Sequence, residues 1–122
     1  MKNLLIKRVY DAPAAEDGVR ILVDRLWPRG LRKDAAQIDF WWKDVAPTPE
    51  LRKWFGHDPA LFPEFRLRYT AELRQSDSWP DYVRELKKLL AGSTVTLLYG
   101  ARDTEHNHAL VLQELFLEAI RQ

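Results

Sequence analysis

The stretch TVTLLYG, residues 94–100, is the starting point for predicting the fold, because it carries the clearest strand pattern in the chain. It is short, rich in β-branched and aromatic residues, and ends at a glycine, as buried strands do. Residues 101–108 (ARDTEHNH) lead from it into an apolar helix that we predict from about Thr104 to Ile120. The N-terminus of a helix attracts anions. We therefore take the junction formed by residues 97–108 as the main candidate site.

Three further strands are predicted upstream of this stretch, at residues 4–10, 19–24 and 38–45. In the third, alternation would send Trp41 and Trp42 to opposite faces of the sheet. Helices are predicted to begin at Thr48–Pro49, at Asp58–Pro59 and at residues 78–81, and to end at Gly56, about Gln75 and Gly92. Strands separated by helices indicate a small single α/β domain spanning residues 1–122. Its sheet should be mostly parallel or mixed, with about four strands and helices on both faces.

The composition excludes several chemistries. The chain has 122 residues and no cysteine, which rules out disulfides, cysteine-ligated zinc, iron–sulfur clusters and a thiolate nucleophile. The net charge of +1 gives no global reason to expect nucleic acid or an anionic membrane as partner. No apolar run approaches the roughly 20 residues of a membrane span, and the N-terminus is too polar for a signal peptide. We expect a cytoplasmic protein that does not contact a membrane; no particular cofactor or oligomeric state is indicated.

A basic segment follows the predicted strand at residues 19–24. Between Arg25 and Lys33 it contains no acidic residue and includes Arg29 and Arg32. Such a cluster is either a solvated loop or a loop that faces an anion. Because ligands bind beyond the carboxyl ends of strands in open α/β sheets, and Gly30 permits close approach beside Arg29, the second interpretation is worth testing.

The histidines do not indicate a metal site. His106 and His108 would point about 200° apart on a helix and could not chelate one ion. Glu105 and His108 would share a face, but further ligands such as His57 or Asp58 would have to come from elsewhere. Either junction histidine could act as a general acid or base.

Three motifs together resemble the YeaO-like branch of the domain-of-unknown-function 488 (DUF488) family. They are VDRLWPRG at residues 23–30, WFGHD at residues 54–58 and LLYGARDTEHNH at residues 97–108. The resemblance covers nearly the whole chain and implies a small α/β fold in a cytosolic bacterial protein, with no established activity. In other branches a Lys-Asp step and a Cys-His-Arg triplet follow the last strand. Here the step is matched by Arg102 and Asp103, whereas the triplet is matched by Asn107, His108 and Ala109, so only the histidine is retained.

The leading hypothesis is a site for a small anion of phosphate or nucleotide type. In it Arg25, Arg29 and Arg102 neutralise charge while His108, the tentative catalytic residue, donates or exchanges a proton. The other candidate ligand-binding residues are His57, Tyr99, Asp103 and Asn107. No nucleophile or complete catalytic constellation is present, so whether the chain is an enzyme stays open.

Two alternatives belong to other classes. A nucleic-acid-binding module would use the Arg25–Lys33 cluster with Trp27 or Trp41 for stacking, although the near-neutral charge disfavours it. A protein-interaction domain would present an aromatic surface, since the chain has five tryptophans.

Overall fold

The sheet has four strands, all parallel, in a computed structural model that describes residues 2–121. The strands are β1 (Leu4–Arg8), β2 (Val19–Leu22), β3 (Phe40–Trp41) and β4 (Val95–Tyr99), in the order β1-β4-β2-β3. The segment predicted as the best strand, β4, lies between β1 and β2 and pairs with both along its length. Because every strand runs the same way, all four carboxyl ends lie at one edge. The predicted α/β fold is confirmed.

Five helices cover this sheet. They are α1 (Lys33–Ala36), α2 (Pro49–Phe55), α3 (Phe62–Gln75), α4 (Trp79–Gly92) and α5 (His108–Ile120). The predicted start of α2 is confirmed, since the Thr48 hydroxyl accepts a hydrogen bond from Leu51 N at 3.2 Å and Pro49 opens the helix. Within residues 2–121 no helix has the length and apolar character needed to cross a membrane.

The two faces of the sheet are covered differently. Val95, Leu97 and Tyr99 of β4 point into the main core, where they pack with apolar side chains of α2, α3, α4 and α5. The opposite face carries a smaller cluster built on Val9, Leu22 and Leu98, against which pack Trp27, Leu31, Ile38 and Trp41 from β3 and the segments on either side of α1. Trp42 belongs to the main core and Trp41 packs on the second cluster, so the predicted division of this pair between the two faces is confirmed.

The prediction of a strand over residues 38–45 was too long. Only Phe40–Trp41 pairs as a strand, and Lys43–Val45 forms a 3₁₀ turn. This is an edge strand that pairs with β2 alone, so the chain is free to leave the sheet after one backbone bond from Trp42 N to Leu22 O at 2.9 Å. Aromatic residues favour strands, but here they are held by packing on either side of the sheet instead.

The prediction that the last helix begins at about Thr104 was also wrong. Helix α5 begins at His108, and Asn107 is its N-cap, accepting from Leu110 N at 3.0 Å. Asp103 caps a preceding turn, where its Oδ1 accepts from Glu105 N and His106 N. The expected angle between His106 and His108 therefore does not apply, because only His108 is helical.

A buried ion pair holds the face of the sheet opposite the main core. Asp17 Oδ2 lies 2.5 Å from Arg20 Nη1 and 3.1 Å from Lys7 Nζ, and the side chains of Asp17 and Arg20 are almost fully buried. The remaining donors of Arg20 reach the carbonyls of Ala36 and Gln37. Burial alone would raise the pKa of Asp17, but its hydrogen bonds and the nearby cations lower it below its ordinary value.

We expect Asp17→Ala to lower the free energy of unfolding by about 3–5 kcal/mol, because it leaves the guanidinium of Arg20 buried without its counter-charge. Urea denaturation measures the loss. Asp34→Ala is the matched control, since Asp34 pairs with Arg32 at 3.3 Å while both side chains are more than 70% exposed (73% and 79%), and it should change stability by less than about 1 kcal/mol. Similar small losses for both variants would contradict the assigned role of Asp17.

Candidate functional site

A cavity of about 370 Å³ opens at the carboxyl edge of the sheet. Three strand ends reach it: Tyr10 follows β1, Asp24 follows β2 and Gly100 follows β4. The start of α5 reaches it as well, through Asn107 and His108. This is the position at which parallel α/β sheets generally bind ligands, and its volume lies in the range of small-molecule sites.

The lining changes from charged to apolar between the rim and the interior. Arg29, Arg52 and His57 are exposed at the rim, whereas Phe55 and Phe65 are buried. Together with Arg25, the arginines number three against a single lining carboxylate, that of Asp24. The cavity therefore carries a net positive charge over a partly aromatic wall.

Asp24 and His108 lie at the inner end of this cavity, which we call its floor. The Asp24 side chain joins the ends of β2 and β4 there. Its Oδ2 accepts a hydrogen bond from Gly100 N at 2.9 Å, and its backbone carbonyl accepts one from Trp41 Nε1 at 2.7 Å. Its Oδ1 is buried without a hydrogen-bond partner, 3.3 Å from His108 Nε2. Unsatisfied buried polar atoms are rare in native structures and are often functional.

The tautomer of His108 follows from its contacts. Its Nε2 lies 3.0 Å from the carbonyl oxygen of Val23, and a carbonyl can only accept, so this nitrogen carries the hydrogen. The side chain is 13% exposed, and the ring edge packs against Tyr69 with centroids 6.1 Å apart. His108 is thus held rigidly, with its second nitrogen, Nδ1, left for other partners.

Arg25 fastens the basic loop to the segment before α2. Its Nε donates to the carbonyl of Pro47 at 3.2 Å, and its Nη2 donates to the carbonyl of Ala46 at 3.1 Å. Within the described residues no salt bridge joins Arg25 to the neighbouring Asp24, whose carboxylate lies 3.3 Å from His108 Nε2. Tyr10 fixes the same loop from β1, since its hydroxyl donates to the carbonyl of Arg29 at 2.9 Å.

Five of the predicted site residues line one cavity: Arg25, Arg29, His57, Asn107 and His108. The other three, Tyr99, Arg102 and Asp103, do not line it. Tyr99 is buried in the main core, Arg102 is exposed outside the cavity, and both Asp103 oxygens are taken up by its own turn, where Oδ2 lies 2.9 Å from His106 Nδ1. Placing Arg102 and Asp103 at the ligand followed from starting the helix four residues early.

Sequence reasoning missed Arg52 and understated Asp24. Arg52 lies on α2, apart in sequence from every other site residue except His57, and only the packing of α2 brings it to the rim. The position of Asp24 at the end of the predicted strand at residues 19–24 was a usable signal. His57 also stands out, since its backbone takes φ +57°, a left-handed conformation uncommon for residues other than glycine.

The tryptophans offer little free surface. None of the five is exposed: Trp42 is buried and the others are partly buried. Trp27 Nε1 donates to the carbonyl of Leu31, and its ring meets Trp41 edge-on with centroids 5.4 Å apart. The ammonium of Lys43 lies 4.0 Å from the centroid of the Trp41 ring, over one of its faces.

The fold and the site define a small parallel α/β protein with a positively charged cavity at the carboxyl edge of its sheet. Residues 3–122 match the model of the family described as "Inactive DUF488-N3 subclade", and the chain belongs to this family. It is 44% identical to the uncharacterized protein YeaO of Escherichia coli (strain K12) over 112 residues, covering 92% of this chain and 95% of that protein. It is also 44% identical to the uncharacterized protein Rv3073c of Mycobacterium tuberculosis over 110 residues, covering 90% of each chain. No solved structure matches the chain. The predicted membership of the DUF488 family is confirmed.

Titration of Asp24 provides a test of its environment. Burial raises the pKa of this carboxyl above its ordinary value of 3.8, although the charge of His108 and the N–H of Gly100 oppose the rise. Between the ordinary pKa of the unfolded chain and the raised pKa of the folded chain, the folded chain binds more protons than the unfolded chain. Ionisation of this group therefore lowers the free energy of unfolding as the pH rises. We expect the stability of Asp24→Asn relative to wild type to increase from about pH 4 to about pH 7, measured by urea denaturation.

The control for this titration has the opposite sign. The N–H of Glu105 lowers the pKa of Asp103, with help from the His106 ring, so its contribution to stability is present above its ordinary pKa and lost as the pH falls. Asp103→Asn should therefore lose stability relative to wild type as the pH rises. The same pH trend in both variants would contradict the different environments assigned to Asp24 and Asp103.

Proposed function

We propose that this protein binds a small anionic ligand of phosphate or nucleotide type in the cavity at the carboxyl edge of its sheet. The observation that carries the proposal is the convergence of Arg25, Arg29 and Arg52 on one cavity, against a single carboxylate. Guanidinium groups present forked donors that match phosphate oxygens in pairs.

The beginning of α5 adds to this attraction. Asn107 and His108 both line the cavity, so the positive end of a 13-residue helix is directed toward it. Helix starts of this kind recur in phosphate sites. This arrangement supports the predicted helix start that faces an anion. The helical residue that lines the cavity there is His108, whereas Arg102 had been predicted.

The apolar lining favours an anion with an organic part. Trp27, Pro28, Phe55 and Phe65 line the same cavity as the arginines. Stacking and burial against such side chains stabilise a ring or a sugar edge, while the rim arginines hold the charge. This combination supports a phosphorylated organic molecule better than an inorganic ion.

Binding is the role that we propose for this lining, which lacks the commonest covalent nucleophiles. Among the described residues that line the cavity there is no serine, threonine, cysteine or lysine to act as nucleophile. The description of the family as an inactive subclade agrees with this. In the proposed site His108 meets the ligand through Nδ1, the ring nitrogen that Val23 does not occupy, which accepts a hydrogen bond when the ring is neutral and donates a proton when it is protonated.

The two alternatives receive less support from the described residues. Within the basic segment, Arg25 is tied to backbone carbonyls, Arg32 pairs with Asp34, and Lys33 lies 5.9 Å from the centroid of the Trp27 ring. Stacking of bases on Trp27 would have to displace that lysine. A protein interface of exposed tryptophans is also disfavoured, because none is exposed.

We expect Arg29→Ala and Arg52→Ala each to weaken binding of a nucleoside monophosphate about tenfold, since each removes charge-assisted hydrogen bonds worth about 1.5–3 kcal/mol. Isothermal titration calorimetry measures the change, with inorganic phosphate as a second probe. Arg84→Ala is the matched control, because Arg84 is an exposed arginine of α4 that pairs with Asp81 outside the cavity. Failure of both probes to bind the wild-type chain, or equal losses in all three variants, would refute the proposal.

A further inference from the structure

We infer that the ligand of this cavity carries hydroxyl or N–H donors beside its phosphate, as a sugar phosphate does on its own or within a mononucleotide, and that Asp24 and His108 receive those donors. This inference rests on the proposed anion site and names the chemical class that fits it. It follows from the floor of the cavity, whereas the anion proposal follows from the rim.

The first step concerns the unused acceptor capacity of Asp24. A carboxylate has about four lone-pair sites, and among the described residues its only hydrogen bond comes from Gly100 N, to Oδ2. Oδ1 is buried without a hydrogen-bond partner. Oδ1 faces His108 Nε2 at 3.3 Å and is closed to the cavity by its burial, so the carboxylate can receive a ligand donor on the remaining lone pair of Oδ2, because the side chain is 22% exposed.

The second step shows that the carboxylate is not required by the fold. An asparagine amide oxygen would accept from Gly100 N equally well, without the cost of burying a charge. The Asp24 side chain is only 22% exposed, and no cation forms a salt bridge with it among the described residues apart from the contact with His108. Residues that lower stability in a cavity are typical of functional positions.

The third step concerns His108. Because Nε2 donates to Val23 O, the neutral ring presents Nδ1 as an acceptor. No described residue forms a hydrogen bond with Nδ1. Within residues 2–121, Asp24 Oδ1 is the only fully buried side-chain polar atom without a hydrogen-bond partner. Because Nδ1 also has no partner, it is not fully buried and is accessible. His108 and Asp24 together give the floor two acceptors and, toward a ligand, no side-chain donor while the ring is neutral.

The fourth step combines floor and rim. Exposed arginines at the rim attract an anion, whereas the partly buried acceptors of the floor repel one. A fully ionised inorganic anion can pair with the rim arginines but has no donor for the acceptors of the floor. A sugar phosphate satisfies both, with its phosphate at the arginines and its hydroxyls on Asp24 and His108. Polar floor groups left unpaired discriminate strongly against ligands that lack the matching donors.

The test compares two phosphomonoesters of equal charge, ribose 5-phosphate and butyl phosphate, by isothermal titration calorimetry. We expect the wild-type chain to bind ribose 5-phosphate at least about tenfold more tightly, since hydrogen bonds to a charged acceptor are stronger than those between neutral groups. The apolar wall alone would favour butyl phosphate, so this preference cannot come from burial.

Two variants locate the preference. Asp24→Asn should lower the ratio of the two affinities severalfold, because an amide in place of the carboxylate offers fewer acceptors while His108 Nδ1 remains. Arg29→Ala should weaken both ligands alike and leave the ratio unchanged. His108→Gln keeps an amide donor for Val23 O and should reduce the ratio in part.

The outcomes separate the two proposals. Equal wild-type affinities for the two esters would overturn the inference and leave the proposed anion site intact. The same conclusion would follow if Asp24→Asn and His108→Gln both retained the wild-type preference. Binding of neither ester would overturn both. The wild-type comparison decides the inference even if Asp24→Asn does not fold, which its circular dichroism would show.

Discussion

The hydrogen bond from Gly100 N to Asp24 Oδ2, 2.9 Å long, ties the ends of β2 and β4 together and forms the floor of the cavity. It is available because both strands are parallel neighbours and finish side by side. A β-carbon at position 100 would lie 2.9 Å from the same oxygen, so any other residue there would require the Asp24 carboxylate to shift. The site depends on this contact, since it orients the carboxylate whose other oxygen faces His108.

The asymmetry of the sheet explains how a small chain supports such a cavity. One face packs on four helices with an apolar core, and the other is held by the Asp17–Arg20 pair together with a small apolar cluster. Both ends of the floor are thereby fixed: α5 by its burial against β4, and the basic loop by Arg25 and Tyr10. Rigid elements position binding loops more accurately than the loops could position themselves.

The chemistry of the lining supports the proposed recognition of an anion. In that proposal the arginines bind the anion, His108 exchanges a proton with it, and the aromatic wall shields part of the ligand from water. At the position where the resembling branches have Cys in their triplet, this chain has Asn107, whose side chain is used to cap α5. A residue that caps a helix start at a cavity preserves the shape of the site without a nucleophile.

A mostly parallel or mixed α/β fold, a strand at residues 94–100, the capped start of α2 and the resemblance to the DUF488 family could be predicted from the sequence. Each rests on local signals: β-branched runs, a Thr-Pro cap and contiguous motifs. The sequence also indicated Arg25, Arg29, Asn107 and His108, because loops at the strand ends of a parallel sheet meet at one edge, whereas His57 was a candidate because its loop between two helices gave it no structural role. The residue at which α5 begins could not be predicted from local sequence and depends on tertiary contacts. Asp103 and Asn107 are both good caps in sequence, and the choice depends on burial of Asn107 and on the bond between His108 and Val23, 85 residues away. For the same reason Arg52 and the unpaired oxygen of Asp24 emerged only from packing, which brings together groups that no local pattern connects.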